Sequence, residues 1–563
     1  MRKRFTTMKR ITAMAAAATM AAMSLTGCGG SSSSAPETTA KEAAAPAGST
    51  AETAGGETSQ AASSDKPYDG VKLTWWTKLN ANVSATYPNL SETPWAQYVK
   101  EQTGIEVEFI HPTVGSEDEE FSIMVASGEY PDIIEHKWTA YAGGPGAAIS
   151  DGIIINLDDV MANKAPNFKK LMDEHPDVDK MVKTSDGSYY CFPFLRGLEQ
   201  PNATQFSAGI IVRKDVLDEL GLELPETIDE WDTVLRAFKD YGFEVPFTTR
   251  KEWMKPVWCP GFDNWVDNEN SFYVEDGVVK NGLTEDSRKE FIAKMNEWYK
   301  DGLIDRDYLV ADKASNQTYF TTGKSAAVYA PFGQGLGQYT QIMNEADPEI
   351  TQDDIRCTVP VTAVKGRNAK FSKMNQIYDK SGVSAAISTQ CKEVDAAAWL
   401  LDWMYSEQGN LCCNFGIEGL TYEMKDGQPV YTDVIMKNPD GLSVANALAA
   451  YTRASTSGVC VQDPRYIEQY YEQDNQKEAL ELSKKTDMGE HFYPPTSVAS
   501  EDAEQYAEIM NNVKTLSDEM EAQFISGAAS LDEWDNYIKQ LKDFGLDDAT
   551  AMMQKAYDLY VSN

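Results

Sequence analysis

From Val71 onward hydrophobic positions alternate with polar ones (Val71, Leu73, Trp75), shift to helical spacing at Trp95, Tyr98 and Val99, and alternate again at Ile105, Val107 and Phe109. A period of two predicts a strand with one buried face, and a period near 3.6 predicts an amphipathic helix. The stretch therefore predicts strand, helix, strand, with Gly104 closing the helix. Four acids follow at Glu117 to Glu120, where carboxylates favour a helix N-terminus, and Phe121, Met124 and Val125 fall on one face. Gly128 and Pro131 then break the pattern into an apolar strand over Asp132 to Glu135.

A second set begins at SAGIIVRKDVLDELG, strand then helix, with Gly221 ending the helix and Thr227 with Glu230 forming a capping box for the next one. Farther on, Phe291, Met295 and Trp298 mark the inner side of a helix, and GKSAAVYAPFG reads as a strand ending in a Gly-rich turn. Helices are predicted over Ala396 to Ser406, Ala499 to Ile525, Leu531 to Leu541 and Ala549 to Tyr560, with Ser530 and Glu533 as a further capping box. Alternating elements of this kind predict an α/β fold with a largely parallel sheet and a helix-rich C-terminal part. No internal repeat or heptad array appears, which excludes solenoids and coiled coils.

The chain has 563 residues, and residues 67–563 exceed a single ordinary core, so two lobes are expected. Ahead of them, Arg2, Lys3, Arg4, Lys9 and Arg10 precede an apolar run from Ile11 to Met23, the order of an export signal over residues 1–27. That run is shorter than the roughly 20 residues a bilayer requires. Residues 28–66 are nearly all Gly, Ser, Ala, Thr, Pro and Glu after Cys28, a composition that buries too little surface to order itself and reads as a tether. Removing the five basic groups of residues 1–27 takes the net charge from −37 to −42. With no Lys/Arg cluster left, nucleic acid is excluded as a partner. Seven cysteines follow Cys28, an odd number, so they are expected to serve as small core residues and not as a disulfide framework. No CxxC pair exists and the four histidines are scattered, which argues against zinc.

LTGC, at Leu25 to Cys28, resembles the lipoprotein box of bacteria, which implies cleavage before Cys28 and its acylation. Several later stretches, ASGEYPDII, IIVRKDVLDELGLELPETIDEW, YVEDGVVKNG, WYKDGLIDRDY, FGIEGLTYEMKDGQPVYTD and FISGAASLDEWDNYIKQLKDFGLDDA, resemble the extracellular solute-binding proteins of carbohydrate-type ABC importers, in the large Gram-positive lipoprotein group. The resemblance implies a two-lobed clamp of type II, periplasmic-binding-protein-like, with the ligand in the cleft. It places lobe 1 at about 67–195 plus 373–440 and lobe 2 at about 196–372 plus 441–563. It also implies a monomer on the extracytoplasmic face of the cell membrane, lipid-anchored, that captures a carbohydrate ligand and passes it to the permease subunits.

Sugars present hydroxyl groups and apolar ring faces, so their sites pair aromatic platforms with polar and charged side chains. Trp76, Lys78 and Asn80 sit at the end of the first predicted strand, where a cleft edge is expected, with Trp75 facing the core. Trp138 and Tyr141 follow the third strand in a Gly-rich loop, and Phe194 with Arg196 lies in a segment resembling the family's crossing between lobes. KEWMKPVWCPGFDNWVDNEN holds Trp253, Trp258 and Trp265, interrupted by prolines and a glycine with Asp263 and Asn264 nearby, and reads as an irregular aromatic loop suited to stacking. Phe332 and Glu418 complete the candidates. DNWVDNEN lacks the spacing of a calcium loop, and no Gly-rich stretch matches a dinucleotide fingerprint, so neither a metal nor a cofactor is expected.

An exported carbohydrate-active enzyme would need two carboxylates at fixed separation, and no catalytic set points to one. A surface adhesin or sensor without a transport role shares the same tether. An acidic sugar as ligand would require Lys78 and Arg196 to converge in the cleft against the negative field of the whole chain.

Overall fold

The computed structural model describes residues 66–138, 141–267, 271–378, 383–499 and 501–562. The export signal, Cys28 and the tether lie outside the described residues. Residues 68–563 form one compact unit.

Two sheets organise it. Their strands, in chain order, are β1 (Lys72–Thr77), β2 (Glu106–Ile110), β3 (Ile133–His136), β4 (Phe192–Leu195), β5 (Ala208–Arg213), β6 (Val245–Thr248), β7 (Ser325–Pro331), β8 (Ile355–Cys357), β9 (Ser384–Ile387) and β10 (Cys460–Val461). The first sheet has the order β10-β4-β9-β3-β1-β2 and the second β8-β5-β7-β6. The expected strand, helix, strand unit is present: β1 pairs parallel with β2 across the helix Pro94–Thr103, which Thr93 caps and Gly104 ends at φ 75°. Trp75 and Leu73 face the core from β1 while Trp76 turns to the other side of the sheet, as the period of two requires.

The sheets are mixed, not largely parallel. β9 runs antiparallel to both of its neighbours, β3 and β4, and β5 runs antiparallel to both β7 and β8. The reason is connectivity: β9 and β5 are the strands that enter their sheets directly after the chain has crossed from the other sheet, so no helical crossover within the sheet fixes their direction. The chain crosses three times, after β4, between β8 and β9, and after β10.

Each sheet carries its own core. Around the first gather Leu73, Trp75, Val99, Phe109, Ile133 and Phe192. Around the second gather Ile210, Val212, Trp231, Phe247, Phe291 and Trp298, joined by Phe524 from the long helix Ala503–Ser526. Residues 441–461 belong with the first sheet: β10 pairs with β4, and the helix Val444–Tyr451 packs on Ala81–Ser84 and Pro94–Thr103.

Capping follows the sequence at Thr227 and Glu230, which form the reciprocal box of the helix Ile228–Tyr241. Ser530 instead accepts from the Asp532 N–H and opens a short 3₁₀ turn, Leu531–Glu533, ahead of the helix Trp534–Asp543. All seven cysteines after Cys28 are buried and unbridged. Among the described residues no helix is long and apolar enough to cross a membrane.

Candidate functional site

A cavity of about 250 Å³ opens at the carboxyl ends of β1, β3 and β4. Open α/β sheets place their ligands at this end because the loops there diverge and leave a crevice. β1 delivers Thr77, Lys78 and Asn80, β3 delivers Glu135, and β4 delivers Phe194 and Arg196. Ile377 and Val383, from the second crossing, and Arg453, Thr456 and Ser457, ahead of β10, complete the wall.

Its polar groups are held in place. Glu135 and Arg453 are 2% and 4% exposed, and Arg453 Nη2 donates to both Glu135 carboxylate oxygens at 2.8 and 2.7 Å. A buried ion pair of this kind is tolerated because each charge answers the other and hydrogen bonds align them. Gly458 lies under the guanidinium: a Cβ there would stand 2.3 Å from Arg453 Cγ and 2.4 Å from its Nε. Asn80 turns its side chain back to accept from the Asn82 N–H at 2.9 Å, which starts the helix Ala81–Ser84 at the cavity rim. Lys78 Nζ pairs with Glu117 at 2.6 Å, and that hydrogen bond holds the Glu117 carboxyl down at about 2. The Arg196 guanidinium lies 5.3 Å from the Phe194 ring centre, a cation–π contact along one wall.

The second sheet reaches this rim through the turn Phe332–Gly337 at the end of β7. Gln334 Nε2 donates to Asn82 Oδ1 at 3.3 Å, and Lys313 Nζ donates to Gln334 Oε1. The contact joins side chains 252 positions apart in sequence.

Of the residues singled out by sequence, the cavity brings together Lys78, Asn80, Phe194 and Arg196. The tryptophans, Tyr141 and Phe332 fall elsewhere. Trp76 is 5% exposed and packs edge-on against His136, with Phe121 beside it. Trp138 is 1% exposed and donates its indole N–H to Ser384 O at 3.1 Å, so it too is core. Tyr141 bonds to Asp151 at 2.7 Å beside this cluster.

The first part of the segment read as an irregular stacking loop is, ahead of the 3₁₀ turn Cys259–Phe262, the helix Lys251–Trp258. Met254, Val257 and Trp258 share its inner face, and Trp258 meets Trp231, Phe247 and Trp298 at zero exposure. Burying one such indole contributes roughly 4–6 kcal/mol, which outweighs the about 3 kcal/mol that Pro256 costs a helix interior. Trp265 stacks on Phe371 and is 5% exposed, while Trp253 rests on Tyr329 with Arg250 over its ring. Asp263 pairs with Arg367. Phe332 is fully buried against Tyr471, and Glu418 lies in an exposed turn before the hairpin Tyr422–Lys425 and Gln428–Tyr431. These positions are occupied by packing and pairing, so none of them lines the cavity.

Sequence reading passed over Thr77, Glu135 and Arg453. The first two end strands, a signal that the carboxyl-end rule could have supplied. Arg453 carries no such signal, because its partner lies 318 positions away. Among the described residues no group of three or more His, Cys, Asp or Glu could hold a metal, and residues 268–270 of DNWVDNEN lie outside them.

Comparison with known proteins points the same way as the geometry. The family profile of bacterial extracellular solute-binding proteins matches residues 80–411. The chain is 25% identical over 489 residues to the fructooligosaccharide ABC transporter substrate-binding protein FusA of Streptococcus pneumoniae serotype 4, covering 83% of this chain and 87% of that protein. It is 26% identical over 535 residues to the lipoprotein LipO of Bacillus subtilis, covering 89% and 94%. The crystal structure of the alginate-binding protein AlgQ2 without calcium ion superposes with a TM-score of 0.70 at 22% identity, over 87% of this chain and 98% of that one, a likeness of fold.

Proposed function

The chain belongs to the bacterial extracellular solute-binding proteins, and from that premise we propose that it captures a carbohydrate, an oligosaccharide, outside the cell and delivers it to the permease of an ABC importer. What carries the reading is the cavity at the carboxyl ends of β1, β3 and β4, where Asn80, Glu135 and Arg196 offer hydrogen bonds beside the Phe194 ring. Hydroxyl groups and a sugar ring face want that combination. The name of the relative FusA, a fructooligosaccharide transporter component, supports the same ligand class.

The mechanism involves no covalent step. A ligand that touches both lobes favours the closed clamp by its differential affinity for that state, and the closed form is the one the permease accepts. The lobes of this reading are residues 67–195 with about 384–461, and 208–357 with 464–562. Acylated Cys28 and the tether 28–66 keep the captor at the extracytoplasmic face of the membrane as a monomer, in keeping with the lipoprotein relative.

A thermal-shift screen of the purified protein against oligosaccharides, with amino acids and peptides as controls, tests this. Binding of one sugar class raises the melting temperature by an amount that grows with ligand concentration, with the sugar recovered intact by chromatography. Sugar turnover would instead assign an exported carbohydrate-active enzyme, and stabilisation by peptides alone would sink the carbohydrate reading.

A further inference from the structure

β1 ends at the cavity with Thr77, where its ladder to β2 runs out of backbone donors. Glu106 N–H donates to Val71 O, and parallel pairing repeats that bond at every second residue, so residue 112 is the one due to serve Thr77 O. Residue 112 is a proline, which has no N–H to give. His111 takes over: its imidazole Nδ1 lies 2.7 Å from Thr77 O.

The other ring nitrogen fixes the tautomer. Leu90 N–H, which opens the 3₁₀ turn Leu90–Glu92, donates to His111 Nε2 at 3.1 Å. An N–H only donates and a carbonyl only accepts, so Nε2 is bare and Nδ1 carries the proton. A neutral imidazole satisfies both bonds, whereas an imidazolium sets two donors, Nε2–H and the Leu90 N–H, against each other. The ring is half-buried and lies parallel to Phe109, with 6.3 Å between the ring centres. Burial holds its pKa below the ordinary histidine range against the pull of the Thr77 carbonyl, and of the charges facing it Arg453 lowers the value and Glu135 raises it. Lys78, next along β1, is paired with Glu117, and Glu92, beyond Leu90, is exposed.

What His111 holds belongs to the cavity. Thr77 is 2% exposed and lines it, and its Oγ1 accepts from Arg453 Nη2 at 3.5 Å, the same nitrogen that donates to Glu135. A shift of Thr77 therefore reaches both members of the buried pair. We propose that His111 is a positioning residue for ligand capture: when neutral it holds Thr77, and through it Arg453 and Glu135, in the arrangement that receives the sugar, and its protonation undoes that arrangement. The proposal rests on the carbohydrate-binding reading and adds a pH control to it.

Nuclear magnetic resonance of the unliganded protein carrying isotope-labelled histidine and threonine, titrated from about pH 7.5 to 4.5, tests the coupling. His111 should start as the Nδ1–H tautomer, and the Thr77 amide signal should move with the His111 midpoint. Titration calorimetry with fructo-, manno- and xylo-oligosaccharides as probes tests the consequence. For the sugar that binds at pH 7.5, the dissociation constant should about double at that midpoint and approach a rise of about tenfold per pH unit below it, as follows when only the neutral fraction binds. His111→Ala should weaken binding at pH 7.5 by about fivefold, the scale of one neutral hydrogen bond, and show no such pH dependence. His111→Asn, whose amide N–H stands where Nδ1–H does, should recover the affinity at pH 7.5 and still lack the pH dependence. Unliganded melting temperatures separate lost binding from lost folding. Affinity that stays flat across the His111 midpoint, a Thr77 signal that ignores it, or a pH dependence abolished by His136→Asn instead overturns the inference and leaves the carbohydrate reading standing. No binding of any of the three sugars at pH 7.5 overturns both.

Discussion

Trp258 shows how one residue type serves opposite ends. By composition a tryptophan among prolines and glycines suits a sugar platform, yet here three aromatic rings enclose it at zero exposure. Trp258→Ala should therefore destabilise the fold by about 3–5 kcal/mol in urea unfolding, the range for deleting a large buried side chain. An affinity loss without a stability loss would return Trp258 to the ligand site. His136 makes a second residue-scale case. Burial pushes its imidazole down to about 4 despite Asp118 at 3.3 Å, so the folded protein holds it neutral while the unfolded chain titrates near 6.5. Between those values the unfolded state binds more protons, and stability rises with pH; full stability is present above about 6.5 and declines as pH falls toward 4. The group contributes a loss on the order of 2 kcal/mol at pH 5. Melting curves at pH 7 and pH 5 for the wild type and His136→Asn check this: the substitution should shrink the pH difference, and an unchanged difference would place the titration elsewhere.

At the scale of elements, local pattern reached far and stopped at a definable point. The unit β1, Pro94–Thr103, β2 and the caps at Thr93, Gly104 and Thr227 follow from side chains within a few positions of one another. Lys251–Trp258 was illegible because its helical state depends on rings contributed by residues 231, 247 and 298, which no local window contains. The same helix joins a buried charge cluster. Arg288 bonds to Glu521, and Lys255 Nζ stands 2.9 Å from Asp518 and 3.9 Å from Glu521, tying Lys251–Trp258 and Asp286–Lys300 to Ala503–Ser526. Glu521→Leu should cost about 3–5 kcal/mol because it strands the Arg288 guanidinium, which is 1% exposed. The double variant Glu521→Leu with Arg288→Met should recover much of that loss. Equal unfolding midpoints for the single and double variants would mean the pair is not coupled.

For the whole molecule, four of the thirteen candidate ligand-binding residues converge on one cavity, and all four lie at the ends of β1 and β4. Strand ends were readable from alternation, whereas Arg453 reaches Glu135 from a segment whose place in the first sheet depends on β10 pairing with β4. That dependence gives Gly458 its importance. A methyl group there would meet Arg453 at 2.3 Å along a side chain that Glu135 holds at its far end, so the guanidinium cannot swing clear without breaking a buried ion pair. Gly458→Ala should shift Arg453 into or away from the cavity and weaken ligand binding more than it lowers the melting temperature, because the displaced group lines the site. The rim contact between Gln334 and Asn82 acts on a different equilibrium. It is a single hydrogen bond bridging two sheets, worth about 1 kcal/mol, so Gln334→Ala should raise the open fraction of the unliganded clamp by about fivefold. Small-angle scattering of the two proteins without ligand would show the variant with the larger radius of gyration, and saturating ligand should bring both to the same closed value. Coincident unliganded curves would mean that Gln334 does not hold the clamp, and that closure rests on the ligand alone.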